Sequence, residues 1–335
     1  MTPSSAAALP APAHRPPVLF IHDGGVDDYL ALALLLTMDH IDLRAIVVTP
    51  ADCYIRPAVS ATRKILDLAG RSDVPVAEST IRGLNPFPRL FRRDAFTVDH
   101  LPVLNERETV TAQRVDEPGQ DYVARLLSAV DPQEPWTVLE TGPFSTLAAA
   151  FDIAPGCERG IREILWMGGA LDVRGNIDAS LEAGQDGSAE WNVYFDPPAA
   201  ARVFASGVPI TLCPLDLTNR VPITSEFVRR LCRMRRYPLC ELAASCYALV
   251  MHQDYFAWDV LTTAALGRPD LFSRGSRQVE IVVDGPSQGR TRPCLPPAGR
   301  RVDVLTEVDL PGFYEYLFTR WTREPPALRR RSATP

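Results

Sequence analysis

Short apolar runs and longer segments of helical periodicity alternate along the whole chain. Apolar runs of strand length occur at 18–22, 43–49, 75–79, 136–141, 162–169, 209–215 and 278–284. Segments with helical spacing of apolar residues occur at 28–38, 56–69, 119–130, 143–152, 197–205, 224–233, 238–251 and 311–322. Continuous apolar strands separated by helices are typical of a parallel sheet that is covered on both sides. The pattern therefore predicts an α/β fold with an open, mostly parallel sheet and helices on both faces.

The sequence also indicates how the chain is divided into a domain and terminal extensions. No break in composition divides the chain, so we expect a single domain over residues 17–323. Residues 1–16 are rich in Ala and Pro and predict a disordered extension rather than a signal peptide. Residues 324–335 predict a basic disordered tail. Two stretches without periodicity, 83–120 and 172–192, interrupt the domain, and such stretches are usually functional loops.

Composition and charge narrow the classes of function. Of the 335 residues, 46% are hydrophobic and 23% charged, as in a soluble globular protein. A formal net charge of −6 gives no general attraction to nucleic acid or to an anionic membrane, and no apolar run is long enough to span a bilayer. The seven cysteines are scattered without CxxC spacing, which favours a reducing, cytoplasmic environment over a disulfide framework or a zinc site.

The first apolar run ends in a cluster of acidic residues. Asp23, Asp27 and Asp28 surround the glycines 24 and 25, and a helical apolar segment follows. Open α/β sheets bind their ligands at the carboxyl ends of the strands. Three carboxylates on one short turn repel each other unless a cation lies among them, and Ca²⁺ accepts irregular sets of oxygen ligands. A simple capped helix would explain one Asp, whereas three favour a metal or catalytic site.

Further polar side chains follow other predicted strands. Asn176 after a glycine could be a turn residue, and Asp259 could cap the helix that follows it. Taken together, at the edge that carries the acidic cluster, these side chains favour a pocket for a metal and a polyhydroxyl ligand. The candidate positions beyond the acidic cluster are Asp52, Thr141, Met167, Asn176, Glu190, Asn192, Trp258 and Asp259.

These motifs carry a resemblance to a known family. The segments are HDGGVDD (22–28), ADC (51–53), NPFP (85–88), TGP (141–143), MGGALDVRGN (167–176), GSAEWNVYFDP (187–197) and YFAWD (255–259). In this order they resemble the nucleoside hydrolases, whose hallmark is an acidic motif DxDPGxDD, and are most similar to the branch specific for inosine, adenosine and guanosine. The resemblance covers about residues 18–265. It implies a Rossmann-like core and Ca²⁺-dependent hydrolysis of the N-glycosidic bond of purine ribonucleosides, as in purine salvage.

The resemblance also implies roles for individual residues. Asp23 matches the general base, which also binds the metal. The other metal ligands matched are Asp28, the backbone carbonyl of Thr141, and Asp259, which also reaches the ribose. The remaining ribose-binding positions are Asp27, Met167, Asn176, Glu190 and Asn192. The base-binding positions are Asp52, Phe91 and Trp258.

The chemistry required for this reaction agrees with those residue types. Hydrolysis of an N-glycosidic bond passes through an oxocarbenium-like sugar and needs an activated water. The departing base must also be stabilised. Other branches place a His immediately before the position of Asp259, where this chain has Trp258. The purine-specific branch instead stacks the base between aromatic side chains, which favours its protonation.

Three positions depart from the family pattern. Ile21 replaces the first Asp of the motif, Gly24 replaces its proline, and Phe91 occupies the position of a second stacking tryptophan. Ile21 and Phe91 leave open a ribose- or nucleoside-binding protein with weak or lost catalysis. A hydrolase that prefers pyrimidine nucleosides is a second alternative. An Asp-nucleophile phosphatase is disfavoured, because it requires a DxD pattern and Gly25 occupies the second position after Asp23. The expected partner is a small ribonucleoside, and the resemblance suggests a homodimer or homotetramer.

Overall fold

The computed structural model describes residues 15–180 and 182–323. The predicted N-terminal extension therefore lies outside the described residues except for residues 15 and 16, and the predicted basic tail lies wholly outside them. Among the described residues, no helix is both long enough and apolar enough to cross a bilayer.

One nine-stranded sheet forms the centre of the protein, in the order β3-β2-β1-β4-β5-β6-β9-β7-β8. The pairs from β3 to β9 are parallel, and β7 and β8 add antiparallel pairs at one edge. The open, mostly parallel sheet predicted from the sequence is confirmed. The strands are β1 (Pro17–His22), β2 (Asp42–Val48), β3 (Val76–Glu78), β4 (Trp136–Glu140), β5 (Ile161–Met167), β6 (Ile210–Cys213), β7 (Phe272–Ile281), β8 (Thr291–Pro293) and β9 (Arg300–Val308).

Helices cover both faces because successive strand residues point to opposite sides of the sheet. Val18 and Phe20 of β1 pack with α1, α2 and α10–α13, whereas Leu19 and Ile21 pack with α5, α6 and α8. The helices are α1 (Val26–Leu35), α2 (Ile55–Ala69), α3 (Arg89–Arg92), α4 (Asp94–Asp99), α5 (Gly119–Ser128), α6 (Ser145–Ile153), α7 (Trp191–Phe195), α8 (Pro197–Phe204), α9 (Leu215–Thr218), α10 (Ser225–Arg233), α11 (Pro238–Val250), α12 (Trp258–Gly267) and α13 (Leu310–Trp321).

The structure departs from the predicted elements at the antiparallel edge and in one loop. The strand predicted at 278–284 begins at Phe272 and ends at Ile281, and β8 and β9 were not predicted. These strands are largely half-buried or exposed, so they lack the continuous apolar run that identified the others. The stretch 83–120, predicted to be irregular, contains the short helices α3 and α4.

Candidate active site

One cavity of about 310 Å³ collects the candidate residues at the carboxyl ends of the parallel strands. The strand register explains why they meet. Ile21 pairs with Glu140 and Glu140 with Trp166, so the turns after β1, β4 and β5 start at the same level. All twelve candidates line the cavity: Asp23, Asp27, Asp28, Asp52, Phe91, Thr141, Met167, Asn176, Glu190, Asn192, Trp258 and Asp259. Their individual chemical roles stay predictions.

The acidic turn between β1 and α1 is tightly enclosed. Gly24 has φ +81°, and a Cβ there would lie 2.7 Å from the Cβ of Cys53. Proline is fixed near φ −65° and cannot adopt this conformation, so glycine at this position fits the turn as it is built here. Gly142 approaches from β4, where an added Cβ would lie 2.8 Å from the Cβ of Asp23. The first approach packs the acidic turn against Cys53, which follows β2, and the second packs the turn after β4 against Asp23.

All three aspartates have partners outside their own turn, and for Asp23 the partner is the Asp52 amide at 3.3 Å. Asp28 accepts hydrogen bonds from the Gly25 amide at 2.8 Å and the Thr141 hydroxyl at 2.5 Å. The capped-helix interpretation thus applies to Asp28, which also connects α1 to the turn after β4. Asp27 instead accepts from the Tyr255 hydroxyl at 2.8 Å and from the Asp259 amide at 3.4 Å. Asp259 does not cap α12, whose N-cap is Ala257.

The carboxylates are buried together and each raises the cost of ionising the others. Burial, followed by the charge of Asp28, raises the pKa of Asp23 well above its usual range and that of Asp27 to about 6. Burial and the charge of Asp27 likewise raise the pKa values of Asp52 and Asp259. Among the described residues that line the cavity, none is Lys, Arg or His. The site therefore concentrates negative charge without a side chain that neutralises it.

This donor set fits a hard divalent cation by charge and by ligand type. Carboxylate and carbonyl oxygens are the ligands that Ca²⁺ prefers. Among the described residues, however, no three His, Cys, Asp or Glu side chains are arranged so that they could together hold a metal ion. Burial and the nearby Asp28 raise the pKa of Asp23, and a cation held between these carboxylates would offset their repulsion.

A network of amides and carbonyls forms the next side of the cavity. The Asn192 side-chain amide donates to the carbonyls of Thr141 at 2.9 Å and Met167 at 3.0 Å. Glu190 caps α7, with its carboxylate accepting from the amides of Asn192 at 2.9 Å and Gly169 at 3.0 Å. Burial raises the pKa of Glu190 to about 7 although these amides lower it. The oxygens of Glu190 are thus engaged by the backbone, which makes Glu190 a support for Asn192.

Aromatic side chains enclose the remaining part of the cavity from two directions. Phe87 stacks on Trp191 with ring centroids 4.8 Å apart, and Phe91 meets Trp191 edge-on at 6.3 Å. On another segment, Tyr255 lies edge-on to Trp258 at 4.6 Å. Asn176 joins the first group, because its side-chain oxygen accepts from the Trp191 amide at 3.0 Å. The cavity thus has an acidic end and an aromatic end.

Sequence reasoning missed several residues at the aromatic end. Tyr255, Phe87, Trp191 and Phe256 all line the cavity. Tyr255 lies four residues before Asp259 in YFAWD, so its place in that motif was the available signal. The mouth also carries the polar side chains of Asp94, Asn219, Gln253 and Asp254, for which the sequence holds no comparable signal.

Comparison with known proteins agrees with this geometry. Residues 18–315 match the family described as inosine-uridine preferring nucleoside hydrolase. A hydrolase of that description from Bacillus anthracis is 40% identical, with a TM-score of 0.86 over 92% of this chain and 99% of that one. The pyrimidine-specific ribonucleoside hydrolase RihA of Citrobacter koseri is 29% identical over 91% of this chain and 97% of its own length. A purine-preferring ribonucleoside hydrolase from Gardnerella vaginalis shares the fold, with a TM-score of 0.73 at 24% identity over 91% of this chain and 98% of that one.

The match extends over nearly all of the described sequence, and it includes the turns that carry Asp23, Thr141 and Asp259. The solved structure at 40% identity has the same fold across almost its whole length. A buried acidic end beside an aromatic end is also what an N-ribosyl hydrolase needs for a sugar and a base. The chain belongs to the inosine-uridine preferring nucleoside hydrolase family.

Proposed function

We propose that this protein hydrolyses the N-glycosidic bond of ribonucleosides in a Ca²⁺-dependent reaction and prefers purine nucleosides. The observation that carries the proposal is the division of one cavity into a buried acidic end and an aromatic end without a Lys, Arg or His among the described lining residues. The acidic end suits a cation and the hydroxyls of a ribose. The aromatic end suits a flat base that leaves as a protonated or strongly polarised group.

At the acidic end, Asp23 is the proposed general base. Asp23, Asp28, the Thr141 carbonyl and Asp259 would hold the cation, which when bound lowers the pKa of a coordinated water. Asp23 lies at the strand end where it can accept the proton of that water. Asp27, Asn192 and Asp259 are the proposed partners of the ribose hydroxyls, with Asn176 and Met167 beside them. Glu190 contributes by holding Asn192 and α7.

At the aromatic end, Trp258 and the group of Phe87, Phe91 and Trp191 are the proposed walls around the base. A purine carries a nitrogen in its five-membered ring that accepts a proton as the base leaves, and aromatic faces stabilise the resulting cation by roughly 0.5–2 kcal/mol. Asp52 lies at the boundary between the two ends, where its amide donates to Asp23 at 3.3 Å. We propose that Asp52 contacts the base.

A preference for pyrimidines is the second candidate, and one observation favours it. Curated relatives at 28–29% identity over about nine-tenths of this chain are named pyrimidine-specific ribonucleoside hydrolase. Against it, no imidazole lies among the described lining residues to protonate a pyrimidine, and His252 is exposed, with its Nδ1 3.0 Å from the Leu249 carbonyl.

The test is the rate of base release from inosine, adenosine, guanosine, uridine and cytidine, each with added calcium and with a chelator. We expect purine nucleosides to react faster and the chelator to abolish turnover. Elemental analysis of protein purified without added metal should find calcium near one per chain. Stoichiometric zinc would reject the calcium assignment, and uridine faster than inosine would reject the purine preference. Binding of nucleosides without any turnover would favour the binding-protein alternative.

A further inference from the structure

The β7–β8 hairpin reaches the site although it carries none of the residues that line the cavity. We call residues 282–291 the anchor hairpin; it comprises the turn between β7 and β8 and the first residue of β8. Its hydrogen bonds go to two segments that bear cavity residues, the loop after β3 and the loop after β5. These contacts are Asn85 to Gln288, Gln185 to Gln288, Asp186 to Pro286, Ser287 to Asp186, and Ala170 to Thr291.

Thr291 holds the turn after β5 by two hydrogen bonds to a single residue. Its hydroxyl accepts from the Ala170 amide at 2.8 Å and donates to the Ala170 carbonyl at 2.9 Å. Thr291 is 0% exposed and Ala170 is 2% exposed, so water cannot replace these bonds. The neighbouring Gly169 leaves room for the contact, because a Cβ there would lie 2.8 Å from the Thr291 hydroxyl. The hydroxyl therefore fixes the backbone of this turn.

From this turn, a continuous chain of hydrogen bonds leads to the acidic end of the cavity. The Gly169 amide donates to Glu190 at 3.0 Å, and Glu190 accepts from the Asn192 amide at 2.9 Å. The Asn192 side chain then donates to the Thr141 carbonyl at 2.9 Å. A shift of the turn would move Glu190 and Asn192 with it. Thr291 thus lies at the far end of a chain that reaches the sugar-binding side.

The tip of the anchor hairpin contacts the aromatic end instead. The backbone carbonyl of Gln288 accepts a hydrogen bond from the side-chain amide of Gln185 at 2.9 Å. The side-chain oxygen of Gln288 lies 3.4 Å from the side-chain amide nitrogen of Asn85. Asn85 also donates to the Tyr194 carbonyl at 2.6 Å, which joins the loop of Phe87 to α7. Gly289 packs so closely on α7 that a Cβ would lie 2.6 Å from the Tyr194 Cα.

We propose that Thr291 and Gln288 are positioning residues for the reaction proposed above, each acting on a different end of the cavity. Thr291 positions the groups that bind the ribose, and Gln288 positions the aromatic wall that bears Phe87 and Trp191. The proposal rests on the proposed function. It adds that the antiparallel hairpin, which lies outside the parallel sheet, sets the geometry of both halves of the site.

The first experiment removes the Thr291 hydroxyl. Thr291→Val keeps the shape of the side chain but leaves the buried amide and carbonyl of Ala170 unpaired. We expect kcat/KM to fall about tenfold for inosine and equally for a nitrophenyl riboside, because both substrates need the ribose-binding groups in place. Thr291→Ser should restore most of the activity. Thr137→Val, at a buried threonine at the amino end of β4, is the matched control and should leave kcat/KM unchanged.

The second experiment changes the tip of the hairpin. Gln288→Ala should lower kcat/KM for inosine about threefold and leave the nitrophenyl riboside unchanged, because the latter does not need a stacked, protonated base. Gln278→Ala, at a glutamine of β7 that bonds to the Ala298 carbonyl, is the matched control. The division between the two ends is wrong if Gln288→Ala lowers kcat/KM equally for both substrates. It is also wrong if Thr291→Val lowers kcat/KM for inosine alone.

Hydrogen exchange gives a readout that does not depend on turnover. In Thr291→Val, amides of residues 168–171 and 190–193 should exchange faster than in the wild type, with no such change in Thr137→Val. Unchanged exchange together with unchanged kinetics would reject the positioning role. A wild-type protein that hydrolyses neither substrate would instead reject the proposed function, and the exchange data would still test the contact. If Thr291→Val does not fold, the kcat/KM values of Thr291→Ser and Gln288→Ala test the positioning roles instead.

Discussion

The acidic end and the aromatic end of the cavity are built from different parts of the fold. The acidic end consists of turns directly after β1 and β4 and the first turns of α1 and α12, and its side chains are almost completely buried, as for Asp28 and Thr141. The aromatic end depends on longer segments: 79–92 after β3, the stretch after β5 that leads to Trp191, and 251–258 after α11. Phe91 and Trp258 on these segments are half-buried.

The difference shows which part of the site the sheet determines. Strand register brings the turns after β1, β4 and β5 to the same level, so the proposed sugar site is set by the fold itself. The arrangement of the aromatic end depends instead on the sequences of the loops. We therefore expect changes at the acidic end to affect every nucleoside, and changes at the aromatic end to affect them selectively.

The largest effect should come from the substrate rather than from a mutation. A 2′-deoxynucleoside would lack a hydroxyl for the proposed partners Asp27 and Asn192, which are buried, and sites built to bind a hydroxyl discriminate by roughly 10⁴-fold. We expect kcat/KM for 2′-deoxyinosine to be lower than for inosine by this order. The comparison is of initial rates at matched concentrations. Equal values for the two substrates would show that the acidic end does not bind the sugar hydroxyls.

Asp23→Asn should reduce turnover about 10³-fold while the protein stays folded. An amide cannot accept the proton of the attacking water and is a poorer ligand for a cation. The loss should be the same for inosine and for a nitrophenyl riboside, measured as kcat with calcium present. Asp152→Asn, at an exposed residue paired with Arg202, is the control and should behave as the wild type. Near-normal turnover by Asp23→Asn would exclude Asp23 as the base.

Glu190→Gln should change the pH dependence of stability. Burial raises the pKa of folded Glu190 from its ordinary 4.5 to about 7, so between these values the folded protein holds a proton that the unfolded chain has released. The free energy of unfolding should therefore fall as pH rises from 4.5 to 7, by ~3 kcal/mol more in the wild type than in Glu190→Gln. Urea unfolding in the presence of a chelator measures this. Parallel pH profiles would contradict a buried, protonated Glu190.

At the aromatic end, Trp258→Ala should lower kcat for inosine about tenfold but for a nitrophenyl riboside only about twofold. The reason is the loss of an aromatic face that stabilises the protonated base. The ratio of the two kcat values isolates this contribution, because both substrates share the same sugar. A uniform loss would mean that Trp258 acts on the sugar through its contact with Met167.

The smallest effect is expected for Phe91→Trp, which should raise inosine turnover about twofold, since indole is a better partner for a cation than phenyl. Phe91 meets Trp191 edge-on and is half-buried, so a larger ring has space to extend. Turnover of the nitrophenyl riboside should not change. A decrease for inosine would indicate that Phe91 matters for packing of this loop rather than for stacking on the base.

How much of the site can be predicted from the sequence also differs between the acidic end and the aromatic end. Asp23 and Thr141 directly follow strands that the sequence shows as apolar runs, so their convergence could be predicted from a parallel sheet. β9 could not be predicted, because its charged and apolar residues alternate instead of forming a continuous apolar run. Tyr255 and Phe87 are brought to the cavity by long-range contacts, such as Asn85 with Tyr194, that leave no periodic trace in the sequence.

The Tyr255 hydroxyl, 2.8 Å from Asp27, is a direct bond between the two ends. A sugar hydroxyl that donates to this oxygen of Asp27 would share it with Tyr255, whose ring lies against Trp258. Occupation of the sugar site and the arrangement of the base wall are then thermodynamically linked, and each half of a nucleoside alters the affinity for the other. Linkage of this kind acts between separate ligands, so ribose and free base would still alter each other's affinity after the bond between them is broken.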